Sequence, residues 1–105
     1  WLLEKVLPAP GEGPSPEEQR NGFYDMRFFA LDKGQTKLQC KVTGDRDPGY
    51  GSTAKMIAQA ALCLARDTSD ADCGGGIWTP ASSMGERLRQ RLESHAGLGF
   101  SIVED

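Results

Sequence analysis

The segment from Met56 to Ala65 constrains the fold more than any other part of the chain, because every residue in it except Gln59 is apolar or small. A helix without a polar face is buried on more than one side. A chain of 105 residues has little material for covering one helix twice. We therefore expect part of the surface that packs against this helix to belong to a missing domain or to a second subunit.

A turn-rich loop from Gly44 to Gly51 leads into this helix, which we predict from about Ser52 to Arg66 with Ser52 as its N-cap. Glycine-rich turns at a helix N-terminus can bind anions through backbone N–H groups. The spacing is not G-x-G-x-x-G and no Walker Lys-Ser/Thr pair follows, so a dinucleotide or P-loop site is not expected here. The glycines either only supply positive φ angles or also bring the loop close to a ligand.

Two segments before the loop alternate between apolar and polar residues. They run from Phe23 to Leu31 and from Thr36 to Thr43, and the turn signal Asp32 to Gln35 lies between them. This pattern predicts an antiparallel β-hairpin.

A second helix and a last strand complete the predicted elements. A capping box from Ser83 to Glu86 predicts a helix over Met84 to Ala96, and the alternation of Leu98, Phe100 and Ile102 predicts a strand. The order β-β-α-α-β predicts an α+β fold, with a mainly antiparallel sheet and two helices on one face.

The composition indicates one domain and excludes several classes of protein. Residues 1–21 are a predicted Pro-rich connector with a short helical turn capped by Ser15, and residues 22–105 form a single α+β domain. The net charge is −3 and the basic residues are scattered, so no nucleic-acid partner is expected. No apolar run is long enough for a membrane span, and no signal peptide is visible, which predicts a cytoplasmic protein.

The residues that usually carry catalysis or bind metals do not form a recognisable group. Three cysteines without a C-x-x-C pair, and a single histidine, make a metal site or a disulfide framework unlikely. The acidic pairs Asp45/Asp47 and Asp70/Asp72 are typical of solvated turns. We predict no catalytic residue in this chain. Two turn-to-helix junctions, Asp47 to Thr53 and Gly74 to Ser83, are candidates for lining one edge of a cleft that another domain completes.

Three segments together resemble a known family. They are PAPGEGPSPEEQRNGFYDMRF, GDRDPGYGSTAKMIAQAALCLA and GGGIWTPASSMGERLRQRLESHAGLGFSI, which occur in this order over nearly the whole chain. They resemble the C-terminal part of the saccharopine-dehydrogenase-like oxidoreductases, the group that includes the trans-acting enoyl reductases. The DPGYG-x-T-A-K-M and GG-x-W-T-P segments carry most of the resemblance.

The resemblance implies two domains with different functions. An N-terminal Rossmann domain, absent here, would bind NAD(P), and this α+β domain would contribute to the substrate side and to dimerisation. The chain itself would hold no cofactor and would be inactive alone. The resemblance leaves the substrate open, because members of the wider group act on amino-acid adducts, on enoyl intermediates of lipid synthesis, or on no identified substrate.

Two hypotheses of function follow. In the first, the chain is the C-terminal domain of such an oxidoreductase, and Tyr50, Ser52 and Thr53 face the substrate because their hydroxyls lie at a helix N-terminus. In the second, the chain is a non-catalytic assembly module that forms a homodimer through its apolar helix or an open sheet edge.

Overall fold

An antiparallel sheet of three strands forms one layer of the protein, and the central strand pairs with both neighbours. The computed structural model describes residues 11–103. Its strands are β1 (Tyr24–Asp32), β2 (Gln35–Gly44) and β3 (Leu98–Val103). The predicted hairpin and last strand are confirmed. The first ten residues of the predicted connector and the last two residues of the chain lie outside the described residues.

A two-residue turn joins β1 to β2. Asp32 pairs with Gln35 across it, and the two residues between them have positive φ angles, 48° at Lys33 and 79° at Gly34. Positive φ at both positions matches the right-handed twist of the flanking strands, as in a type I′ turn. The register shifts between Ala30 and Leu31, close to this end of the hairpin.

The helices are α1 (Pro16–Asn21), α2 (Gly51–Arg66), α3 (Asp70–Cys73) and α4 (Pro80–His95). The two long helices, α2 and α4, lie between β2 and β3 in the chain, so the predicted order and the α+β class are confirmed. The helical turn predicted after Ser15 is α1, with the expected capping box between Ser15 and Glu18. The short helix α3 was not predicted, although Ser69 and Asp72 cap it in the same way.

The predicted start of α4 is wrong by four residues. Thr79 is the N-cap and Pro80 the first helical residue, and the capping box joins Thr79 to Ser82 instead of Ser83 to Glu86. A Thr-Pro pair is a strong signal for a helix start, because proline at the first position loses no helical hydrogen bond. The prediction used the capping-box pattern of Ser83 to Glu86, which lies inside the helix, where Gly85 has non-helical angles of φ 47° and ψ −124°.

The core lies between α2 and α4. Cys63 of α2 is fully buried against Met84 and Leu88 of α4, and Ala60 and Leu92 pack around them. Met84, Leu88 and Leu92 recur at helical spacing on the side of α4 that faces α2, whereas His95 at the end of the same helix is exposed. Ala96 and Leu98 are also buried, so the connection from α4 into β3 is held in the interior.

One face of the sheet is almost entirely apolar, and the helices cover only one end of it. Register pairs place Met26, Val42 and Phe100 in one row, and Phe28, Cys40 and Ile102 in the next. The row that begins the sheet contains Gly44 and Leu98, which are both buried. Exposure then rises along the face until Ile102 is 64% exposed. The outer part of this face has no cover within residues 11–103.

The outward side of α2 is apolar and exposed as well. Its buried residues are Ser52 and Cys63, whereas Ile57 is 70% exposed and Leu64 is 57% exposed. No charged residue occurs between Lys55 and Arg66. The described residues therefore bury only one side of α2, although its sequence predicts burial on more than one side.

None of the helices among residues 11–103 combines the length and the apolar character that crossing a membrane requires.

Tyr24 joins the sheet to the helix layer. A Cβ atom at Gly44, its partner on β2, would lie 2.1 Å from Cε1 of the Tyr24 ring, so glycine is required for the ring to lie across β2. From there the Tyr24 hydroxyl reaches the Ser52 hydroxyl of α2 at 2.9 Å. An aromatic side chain that packs over a glycine on the neighbouring strand is a known way of stabilising a sheet.

We predict that Gly44→Ala destabilises the protein by about 1–3 kcal/mol, because the added methyl group forces the Tyr24 ring away. Urea unfolding followed by circular dichroism measures the change. Gly75→Ala is the control, since a Cβ atom there meets nothing within 4 Å. Equal stability of the two variants would show that Tyr24 does not depend on the glycine.

Candidate functional site

The loop before α2 is organised by the carboxylate of Asp47. Its Oδ1 accepts a hydrogen bond from the backbone N–H of Gly49 at 2.9 Å. Its Oδ2 accepts from the N–H groups of Tyr50 at 3.1 Å and Gly51 at 2.6 Å. The side chain thus satisfies N–H groups that a helix N-terminus would otherwise leave unpaired.

Asp47 therefore has the role that the sequence assigned to Ser52. The helix begins at Gly51, its N-cap residue is Tyr50, and Ser52 lies inside the first turn, so the predicted N-cap is wrong. The bond from the Gly51 N–H, followed by those from Gly49 and Tyr50, lowers the pKa of Asp47 because all three stabilise the charged carboxylate. A phosphate group would have to displace this carboxylate to bind here, which agrees with the absence of a phosphate-loop spacing.

Ser52 is fully buried and its hydroxyl is paired with that of Tyr24. The contact connects residues 28 positions apart and links β1 to α2. The structure thus gives Ser52 a role in holding the helix on the sheet. Its assignment to a substrate stays a prediction, and a substrate would reach this hydroxyl only after the Tyr24 contact opens.

Tyr50 and Thr53 are on the surface beside this contact. Tyr50 is 58% exposed, and Thr53 is exposed with its Oγ1 donating to the carbonyl of Pro48 at 2.7 Å. The phenol ring of Tyr50 also lies against the incoming chain, since a Cβ atom at Gly13 would be 3.0 Å from its Cε2. Both residues are exposed among the described residues, as a substrate-facing role requires.

The segment that leads into the domain is tied to the same loop. The N–H of Asp47 donates to the carbonyl of Gln19 in α1 at 3.1 Å, and Gln19 Nε2 donates to the carbonyl of Pro14 at 2.9 Å. The chain before β1 thus passes directly beside the N-terminus of α2.

The second predicted junction lies at the opposite end of α2. A cavity of about 480 Å³ there is lined by Leu64 of α2 together with Cys73, Gly74, Trp78 and Ser83. Leu64 and Gly51 are 13 residues apart on one helix, a distance of about 20 Å. The two junctions therefore do not meet along one edge in this chain, contrary to our expectation. The sequence shows that each junction leads into a helix, but it does not show how far apart the two junctions lie in the folded protein.

The acidic pairs have structural partners. Asp45 accepts two hydrogen bonds from Lys55 Nζ at 2.9 and 3.0 Å, and the same ammonium group donates to the carbonyl of Ala96 at 3.2 Å. Asp72 accepts from Arg87 at 2.8 Å and from the backbone of Ser69, and these bonds lower its pKa. In residues 11–103 no group of three or more His, Cys, Asp or Glu side chains is arranged to hold a metal ion.

The interface between the two long helices is closed by Arg91 of α4. Its guanidinium pairs with the Asp67 carboxylate and donates to Gln59 Oε1 at 3.1 Å. The hydrogen bond from Arg91 lowers the pKa of Asp67. Gln59 is the single polar residue of the apolar segment, and this contact explains its position there. The charges of this interface are structural.

Comparison with known proteins gives homology to part of several oxidoreductases. A putative trans-acting enoyl reductase of Mycobacterium tuberculosis is 32% identical over 102 residues, which are 97% of this chain and 24% of that protein. A trans-acting enoyl reductase of Mycobacterium bovis is 35% identical over 91 residues, or 87% of this chain and 22% of its own length. One from Mycobacterium ulcerans is 32% identical over 90 residues.

The chain thus spans about a quarter of the length of the curated relatives it matches. Neither a protein-family model nor a solved structure matches it. The chain is therefore similar to one part of the trans-acting enoyl reductases, which are the group that the sequence motifs indicated.

We predict that Tyr24→Phe lowers the free energy of unfolding by about 1–3 kcal/mol, because it leaves the buried Ser52 hydroxyl without its partner. Ser52→Ala and the double variant complete a double-mutant cycle in urea unfolding. The double variant should cost less than the sum of the two single changes, since both partners are then removed. Strict additivity would mean that the two hydroxyls do not interact.

Proposed function

We propose that the chain is the C-terminal, substrate-side part of an NAD(P)-dependent oxidoreductase of the saccharopine-dehydrogenase-like kind, and that the whole protein reduces enoyl groups. The observation that carries the proposal is the similarity to trans-acting enoyl reductases along 97% of this chain but only 24% of a relative. An oxidoreductase of that length has room for a cofactor domain, which 105 residues do not provide.

The described residues do not fit the NAD(P) cofactor. A dinucleotide pyrophosphate needs the N-terminus of a helix that follows a parallel strand. Here β2 leads to α2 in an antiparallel sheet, and the Asp47 carboxylate occupies the N–H groups of that helix. The cofactor would therefore bind in another part of the polypeptide, and no step of hydride transfer is assigned to residues of this chain.

The outward face of α2 is the surface that we assign to contact with the cofactor domain, a Rossmann domain N-terminal to this chain. This face is apolar and uncovered in the described chain, with Ile57 at its centre. The segment before β1 passes Tyr50 at the start of the same helix, so the described chain enters the domain beside α2. The protein is proposed to be cytoplasmic, where NAD(P)-dependent reductions take place.

Tyr50→Phe and Thr53→Val in the full-length protein are each expected to lower kcat/KM for an enoyl substrate by about two- to tenfold, the effect of losing one hydrogen bond. Steady-state oxidation of NAD(P)H measures the rates. Thr36→Val is the control, because this exposed hydroxyl lies on β2 beside the turn of the hairpin. Unchanged kinetics in both variants would remove Tyr50 and Thr53 from the substrate site.

A second candidate function is assembly of a homodimer, which is compatible with the first. β1 and β3 are the two edges of the sheet in residues 11–103, and an unpaired edge strand can pair with a second copy. The exposed side of α2 offers an alternative contact, but a dimer formed through it would compete with the cofactor domain for the same surface, whereas a dimer formed through a sheet edge would not.

Sedimentation equilibrium of the purified chain is expected to show a dimer at micromolar concentration. Ile57→Glu should dissociate a dimer formed through α2, because it places a charge in an apolar contact, and should leave a dimer formed through a sheet edge intact. A strict monomer at high concentration would count against this candidate function.

A further inference from the structure

A continuous apolar groove runs between α4 and the sheet. Two cavities of about 410 Å³ each make it up, and they share Phe100 and Arg89. Leu88 and Leu92 of α4 line the first cavity, and the second extends over β2 and β3 as far as Ile102. Each volume falls within the range of sites that bind small molecules, which is about 300–1,000 Å³.

The groove is lined almost entirely by apolar groups. Val42 pairs with Phe100, and Cys40 pairs with Ile102, so these four side chains belong to the apolar face of the sheet. The lining of both cavities is predominantly carbon. Within residues 11–103, no buried side-chain nitrogen or oxygen lacks a hydrogen-bond partner. The groove can therefore bury an apolar ligand, and its lining has no buried polar side-chain atom that needs a hydrogen bond from the ligand.

The one basic side chain shared by the two cavities is already neutralised. Arg89 donates from Nε and Nη2 to Glu86 at 2.6 and 2.5 Å, and from Nη1 to Glu93 at 2.6 Å. Two carboxylates therefore surround one guanidinium group. An anionic ligand beside Arg89 would meet two carboxylates and one guanidinium group, which favours a neutral ligand there. Lys41 also lines the second cavity and takes no part in the Arg89 ion pairs with Glu86 and Glu93.

Gly85 shapes the end of the groove near the start of α4. It lines the first cavity, and its φ of 47° with ψ of −124° breaks the helix there. A Cβ atom at Gly85 would meet nothing within 4 Å, so the glycine is needed for its backbone angles and not for space. Such a conformation is costly for any residue with a side chain. The break turns Pro80 and Ala81 onto the same cavity.

We propose that this groove binds the hydrocarbon tail of the enoyl substrate, as a neutral acyl thioester. The inference rests on the proposed function, in which the substrate carries an enoyl group. It adds the location of the hydrocarbon tail of that substrate. A hydrocarbon tail matches the apolar lining and needs no ion pair with Arg89. From the second cavity it can extend across the sheet to Met26 and Phe28 on β1, which lie in the same rows as Phe100 and Ile102 and are exposed. A hydrocarbon tail needs no hydrogen-bond partners in the groove, whereas the backbone N–H and C=O groups of a bound peptide would need them.

The test uses the natural full-length polypeptide and a series of saturated acyl thioesters of N-acetylcysteamine, from acetyl to dodecanoyl. Isothermal titration calorimetry measures the affinity. If the tail enters the groove, each added methylene raises the affinity by about fourfold until the groove is filled. Because the probes are saturated, binding is measured without turnover.

Ile102→Glu and Leu31→Glu form a matched pair of variants. The two residues are 64% and 65% exposed, so neither change disrupts the core, but Leu31 lies at the hairpin end of β1, outside the groove. Ile102→Glu is expected to weaken dodecanoyl binding by about tenfold or more, because a charge beside a hydrocarbon tail is costly. It should leave acetyl binding unchanged, and Leu31→Glu should leave both unchanged.

Three outcomes separate the inference from the proposed function. Affinity that does not depend on chain length, or an Ile102→Glu variant that binds like the wild type, overturns the acyl groove. No binding together with dissociation of an oligomer by Ile102→Glu shows that a second copy covers the face and also overturns it. Length-dependent binding in a protein that reduces no enoyl thioester with NADH or NADPH supports the groove and overturns the reductase function.

Discussion

The contact between Tyr24 and Ser52 determines where the helices meet the sheet. The ring crosses β2 at Gly44, and the hydroxyl meets a fully buried serine in the first turn of α2. This fixes the N-terminal end of α2 at the first row of the sheet. Asp47 holds the loop just before that turn, and Lys55 joins the loop to the end of α4. Further along α2, Cys63 packs against Met84 and Leu88 of α4.

This anchoring at one end leaves much of the apolar surface uncovered. The helices protect the first row of the sheet, whereas the outer rows and the outward side of α2 remain exposed among the described residues. Monomeric soluble proteins seldom expose large apolar patches, and such patches usually mark contacts with proteins or ligands. The two surfaces differ in shape. The side of α2 is convex and suits another domain, whereas the groove beside Phe100 is concave and suits a ligand.

The regular elements and much of their order were predictable because their signals are local. Alternation in β1 and β2, the Lys33-Gly34 turn and the stripe of Met84, Leu88 and Leu92 all follow from the repeat of a strand or a helix. Errors occurred where two local signals competed. For α4, the capping-box pattern of Ser83 to Glu86 competed with the Thr79-Pro80 pair, which marks the true start. For α2, the hydroxyl of Ser52 resembled a cap, whereas the carboxylate of Asp47 provides it. The sequence Asp-Pro-Gly before a helix was the available signal for Asp47.

The sequence by itself determined the α+β class, the antiparallel hairpin, the apolar character of α2 and the similarity to enoyl reductases, because each depends on residue type and short-range spacing. Tertiary structure decided the rest. It paired Tyr24 with Ser52, separated the two turn-to-helix junctions by the length of α2, and formed the groove from residues of β2, β3 and α4. These features join residues far apart in the chain, and their positions depend on how the layers pack, which no local pattern encodes.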